Sequence, residues 1–129
     1  MNKIIVEVSI GELLDKISIL EIKQEKIKDS EKLKFINKEH SILKDQLVKN
    51  IKSDDKLNKL YHSLKEINAK LWIIEDEKRQ CEKDKDFGEK FIELSRDVHF
   101  LNDDRAKIKL EINNHTGSII KEIKEYTGY

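Results

Sequence analysis

The sequence predicts a mainly α protein: antiparallel helical hairpins in a four-helix-bundle-like arrangement. Three observations carry that prediction. Apolar residues recur at steps of three and four along most of the chain, the spacing of a single helix face. Helix-starting side chains punctuate the repeat at Ser9, Asp29, Asp54 and Asp86. Proline is absent from all 129 residues, and the charged 40% divides evenly, 26 basic against 26 acidic. Charges of both signs finely interspersed with abundant Ile and Leu describe a solvated helix surface rather than a disordered chain, which needs a one-signed excess and few large apolar residues.

Each element follows from its own residues. Residues 3–8, Lys-Ile-Ile-Val-Glu-Val, are β-branched and half alternating, and predict one short strand. Ser9-Ile10-Gly11-Glu12 has the form of a capping box, in which the serine accepts from an exposed amide and the glutamate reaches back. Ile10, Leu13, Ile17, Leu20 and Ile27 then predict a helix over about 10–28. Asp29 and Ser30 offer the next cap, and Leu33, Ile36, His40, Leu43 and Leu47 give a helix over about 30–50. Ser53-Asp54-Asp55 opens the third. Its stripe of Leu57, Leu60, Leu64, Ile67, Leu71, Ile74, Lys78 and Cys81 predicts a helix over about 54–83, roughly 45 Å long. Asp86-Phe87-Gly88-Glu89 repeats the capping pattern. Phe87, Phe91, Leu94, Val98, Leu101, Arg105, Ile108 and Ile112 carry the fourth helix, which Thr116-Gly117-Ser118 ends. The tail, Ile119–Tyr126, is read as a strand partner for residues 3–8, because a lone strand leaves its amides unpaired. The alternative partner is the same strand of a second copy. The third and fourth helices are longer than the first two, so their hairpin is expected to project and to bury its apolar seam against another subunit, most simply in a homodimer.

These motifs resemble a small family of bacterial and phage helical proteins classed as a domain of unknown function. The resemblance rests on Ser9-Ile10-Gly11-Glu12-Leu13-Leu14-Asp15-Lys16 and on Ile19-Leu20-Glu21-Ile22-Lys23. It continues in Leu71-Trp72-Ile73-Ile74-Glu75-Asp76, in Phe87-Gly88, Phe91-Ile92, Leu94, Arg96 and Val98, and in Asn102-Asp103 with Arg105, Ile108-Lys109 and Ile112-Asn113. His99 departs from the pattern, which has tyrosine there. The resemblance implies a stand-alone helical domain over nearly the whole chain, 1–129, and brings no established activity.

Composition excludes several functional classes. One cysteine, Cys81, rules out a disulfide framework and zinc-finger spacing, and its seam position marks it as a buried filler. The longest apolar run, Leu71-Trp72-Ile73-Ile74, is far short of a membrane span. Zero net charge gives no basic excess for nucleic acid. No secretory leader is visible at the start, so a cytoplasmic location is expected. No metal site or cofactor is expected: Asn37, Lys59, Arg96 and Ile112 stand three before the four histidines, where a di-metal bundle needs glutamate. His99 with Asp103 and His62 with Glu66 read as surface pairs. No phosphate loop or nucleophile elbow occurs.

One constellation remains. Gln24, His40, Lys78 and Arg105 interrupt the apolar stripe, and a polar group there needs a partner. Arg105 is the sharpest, since a guanidinium stays charged. Arg96, Asn102, Asp103 and Lys109 lie on its helix; Trp72, Glu75 and Asp76 are expected to face it across the hairpin, with Glu12, Asp15 and Lys16 closing the set from the first helix. Two readings follow from these eleven residues. The leading one is a non-catalytic assembly module whose polar cluster sets register, partnered by itself or by another protein. The alternative is a site for a small polar or anionic ligand, or an enzyme, around Arg105.

Overall fold

The computed structural model describes residues 2–129 and holds four α-helices: α1 (Ile10–Lys26), α2 (Ser30–Asn50), α3 (Asp55–Asp84) and α4 (Glu89–Thr116). Three of the starts use the anticipated side chains. Ser9 Oγ accepts from the Glu12 amide, Asp29 from the amides of Glu31 and Lys32, and Asp54 from that of Leu57. The fourth differs. Gly88 is the cap of α4 and has no side chain to offer, while Asp86 Oδ1 accepts from the Gly88 amide at 3.1 Å and shapes the turn instead. Gly117 ends α4 at φ 68°, the left-handed conformation that glycine adopts without penalty.

Pairings between the helices set their directions. Glu21 with His40 and Gln24 with Asn37 run α2 antiparallel to α1. Glu12 with Lys109 and Asp15 with Arg105 run α4 antiparallel to α1 as well. α1 therefore packs against all three other helices, whereas α2 runs alongside α1 alone. Burial follows that placement. α1 contributes Leu14, Ile17, Leu20 and Ile22 to the interior, and α2 buries no residue fully. Leu14 clusters with Leu57, Leu64 and Ile112, and Leu47 and Ile51 at the end of α2 close the cluster. Gly11 lets the start of α1 lie directly on α4: a β-carbon there would stand 2.6 Å from the Lys109 carbonyl oxygen.

α3 and α4, at 30 and 28 residues, outlast the 17 of α1, and their outer half projects. Between Asp76 and Phe100 the described residues include two buried ones, Cys81 and Leu94. Phe87, Ile92 and Phe100 are exposed along that stretch.

The expected N-terminal strand does not form. No strand occurs among the described residues; residues 2–9 are neither helix nor strand, with Ile4 90% and Ile5 81% exposed. The reason lies at Gly117. It turns the tail back along α4, where Glu122 meets Lys109 and the Tyr129 hydroxyl donates to Asp103. The tail touches the N-terminal region through Ser118, whose hydroxyl accepts from the Ile10 amide at 3.1 Å. Residues 118–129 are neither helix nor strand.

Candidate functional site

A buried carboxylate organises the contact of α1, α3 and α4. Asp15 Oδ1 accepts from Arg105 Nε at 2.9 Å and from Asn68 Nδ2 at 2.8 Å, and its Oδ2 accepts from Arg105 Nη2. This fork is the two-point geometry that suits arginine to a carboxylate. Asn68 Nδ2 also donates to Ser18 Oγ at 2.8 Å, and that hydroxyl donates to the Asp15 carbonyl at 2.7 Å. Lys109 Nζ stands 2.6 Å from Glu12, 3.2 Å from Glu122 and 3.8 Å from Asp15. Its ammonium thus sits among three carboxylates. Among the described residues no buried side-chain polar atom lacks a partner. That completeness is what makes a buried ionic cluster tolerable.

The helix registers explain why these residues meet. Glu12 and Asp15 lie one turn apart on one face of α1, three residues from each other, and Arg105 and Lys109 lie one turn apart on one face of α4, four residues from each other. Two antiparallel helices so marked align acid to base at two successive turns. Asn68 on α3 supplies the third side. The start of α1 is sealed too: the amides of Ile10, Gly11 and Glu12 donate to Ser118, Asn113 and Ser9. Its exposed dipole end therefore offers no free donors there for an outside anion. The second half of the expected capping box is absent, because Glu12 turns its carboxylate to Lys109 instead of its own cap.

Protonation follows from these contacts. Burial alone would raise the Asp15 carboxyl, but hydrogen bonds from Arg105 and Asn68 and the charges of Arg105 and Lys109 outweigh it and hold it below the usual carboxylate range. The bond to Asp15 raises Arg105 further. Burial would lower Lys109, yet Glu12, Asp15 and Glu122 together raise it. Asp15, Arg105 and Lys109 are therefore charged throughout the neutral range.

Beside it opens a cleft of about 340 Å³. Ile19, Ile22, Leu71 and Trp72 form its apolar side; Asn68, Glu75, Asp76, Arg79 and Arg105 form its polar side. Arg105 is 28% exposed. Asp15 and Asn102 take three of its five N–H donors, leaving two without a partner among the described residues.

The eleven predicted residues divide accordingly. Glu12, Asp15, Asn102, Arg105 and Lys109 form the ionic cluster, with Lys16 at its edge, 3.8 Å from Glu12 and half exposed. Trp72, Glu75 and Asp76 line the adjoining cleft. Arg96 and Asp103 are elsewhere. Arg96 pairs with Glu93 at 3.7 Å and lies over the Phe100 ring, and Asp103 holds the tail through Tyr129. His99 does not meet Asp103: it packs against Phe100 and Tyr129. His62 and Glu66 do pair, at 3.1 Å. Lys78 lies over the Phe91 ring, and Gln24 donates to Asn37 at 3.0 Å. Sequence reasoning missed Ser18, Asn68, Asn113, Arg79 and Glu122. Asn68 and Ser18 were legible as polar residues one step from apolar stripes; Glu122 was hidden because it approaches through an irregular tail.

A second polar junction joins α1 to α2 and α3. Glu21 accepts from the Tyr61 hydroxyl, lies 3.0 Å from His40 Nε2 and 3.8 Å from Lys65, which reaches Glu25 at 3.0 Å. Burial and the bond to Glu21 raise the Tyr61 phenol well above its ordinary value.

Among the described residues no group of three or more His, Cys, Asp or Glu is placed to hold a metal ion, and no helix is long and apolar enough to cross a membrane. A family described as a family of unknown function (DUF6165) matches residues 4–129. No curated protein and no solved structure matches the chain.

Proposed function

For a chain that belongs to the DUF6165 family of unknown function, we propose, from its own geometry, a non-catalytic interaction module that assembles as a homodimer. One contrast carries this reading: the buried charges are consumed by one another, while large apolar side chains face outward. Ile4, Ile5 and Val6 stand exposed across a groove of about 830 Å³ from Ile42 and Leu43 of α2. Phe35 and Val48 are exposed on α2 as well. Contiguous apolar surface of this kind marks an interface. The module acts as one domain over 1–129, partnered by itself or by another protein. It works in the cytoplasm, where the lone Cys81 stays reduced. Nucleic acid and membranes are not expected among its partners, because 26 basic and 26 acidic residues leave no net charge for steering. Light scattering on a size-exclusion column tests this. A dimer at micromolar concentration, weakened by Ile5→Asp and Ile42→Asp, is expected; a monomer throughout the concentration range overturns it.

The cleft favours a second reading, a small polar ligand held between α1, α3 and α4. Its specific support is Arg105, fixed by Asp15 yet keeping two unused donors.

A further inference from the structure

The second reading deepens when the charges of the cleft are placed in order along α3. Asn68 marks one end, because it shares Asp15 Oδ1 with Arg105. Leu71 and Trp72 follow one turn on, and Glu75 and Asp76 the turn after that. Seven residues of α-helix separate Asn68 from Glu75, about 10 Å. The wall therefore reads guanidinium, apolar surface, carboxylate pair, with the exposed Arg79 at its rim.

Neither end suits a ligand of one sign. The Arg105 charge is balanced by Asp15, so a bare anion gains little net attraction there, although the two spare N–H groups can still donate to an oxygen. Glu75 and Asp76 form no ion pair among the described residues, in a molecule where most of the carboxylates near α1 are paired. They lie on the cleft wall beside the Trp72 ring, whose face attracts a cation. Arg79 is exposed one turn further on and is not held by any ion pair among the described residues, so Arg105 is the oriented donor.

On this basis, which rests on the ligand-cleft reading, we propose that the cleft binds an amphoteric small molecule. Its carboxylate meets the spare N–H groups of Arg105, its apolar spacer lies on Leu71 and Trp72, and its ammonium group lies between Glu75 and Asp76. The cleft volume of about 340 Å³ is at the small end of the range for ligand pockets, which fits a compact ligand of this class.

Trp72 is the single tryptophan, so its fluorescence reports the cleft directly. Nα-acetyl-lysine carries a carboxylate and an ammonium group on an alkyl spacer; hexanoate and hexylammonium each carry one of the two charges. Titration with Nα-acetyl-lysine is expected to change Trp72 emission with an affinity at least about tenfold above either single-charge probe. Glu75→Gln with Asp76→Asn, both exposed positions, is expected to keep the helical circular dichroism and lower Nα-acetyl-lysine to the level of hexanoate. Arg105→Lys, which keeps a charge for Asp15 but loses the fork, is expected to lower it to the level of hexylammonium. If hexanoate or hexylammonium alone binds as well as Nα-acetyl-lysine, the amphoteric assignment is overturned and the cleft remains a ligand site. If none of the three perturbs Trp72 while the protein is folded, both readings fail.

Discussion

α1 carries two polar junctions that differ in how far they exclude water. On the face toward α3 and α4, Asp15 has a side chain 2% exposed and is enclosed by Arg105, Lys109, Asn68 and Ser18. Where α2 and the first half of α3 meet it, Glu21 is 22% exposed and contacts His40, Tyr61 and Lys65. Both are single acids on one helix, held by groups from two others. Burial decides what each is worth. A buried ion whose partner is removed suffers the full loss of solvation, whereas a half-open one turns to water. The first junction therefore locks the α1–α3–α4 register, and the second fastens α2, the helix with no fully buried residue, to α1 through His40 and the first half of α3 to α1 through Tyr61 and Lys65.

The sharpest test of this contrast is Asp15→Ala. It removes the carboxylate that Arg105 forks onto and leaves Asn68 short of an acceptor, while Lys109 keeps Glu12 and Glu122. Removing one partner of a buried pair costs about 3–5 kcal/mol. The lower end, about 3 kcal/mol, is expected because Arg105 at 28% exposure can turn outward. Urea unfolding measures it, and a loss below about 1 kcal/mol would place Asp15 in the same class as an open surface pair.

Acid separates the two versions of the chain next. Asp15 has a depressed pKa in the folded state, so its contribution is complete above the unfolded carboxylate value of about 3.9 and fades as pH falls through the folded value. The stability gap between the native chain and Asp15→Ala should stay level from neutral pH down to about 4 and narrow below it. A gap that closes already near pH 6, well above the carboxylate range, would show that the Asp15 carboxylate is not what separates the two chains.

The smallest effect belongs to Tyr61→Phe. It deletes the hydroxyl that donates to Glu21 while leaving His40 and Lys65 in place. About 1 kcal/mol is expected by thermal unfolding, the ordinary net value of one hydrogen bond. Hydrogen exchange should show the loss concentrated in the turns that meet at Glu21, around His40 on α2 and Tyr61 on α3, with the turns around Asp15 and Arg105 unchanged. A uniform loss over all four helices would break the distinction between lock and fastener.

The sequence by itself determined the helices. Apolar steps of three and four, with Ser9, Asp29 and Asp54 before them, are local signals, and helix formation answers to local spacing and caps. It also singled out Arg105, because a permanent charge on an apolar stripe demands a partner. The partner itself was decided by tertiary structure. Asp15 lies 90 residues away, and its pairing depends on α1 running antiparallel to α4 with Gly11 permitting close approach. Asn68 enters from a third helix and Glu122 from a tail that Gly117 redirects along α4. The same redirection removed the expected strand: residues 3–8 have the right local composition, but a strand exists through its neighbour, and the fold sent that neighbour elsewhere. Helices close their hydrogen bonds within a few residues and so are legible in sequence; strands, ion pairs and clefts close theirs across the chain and depend on where the packing brings distant residues.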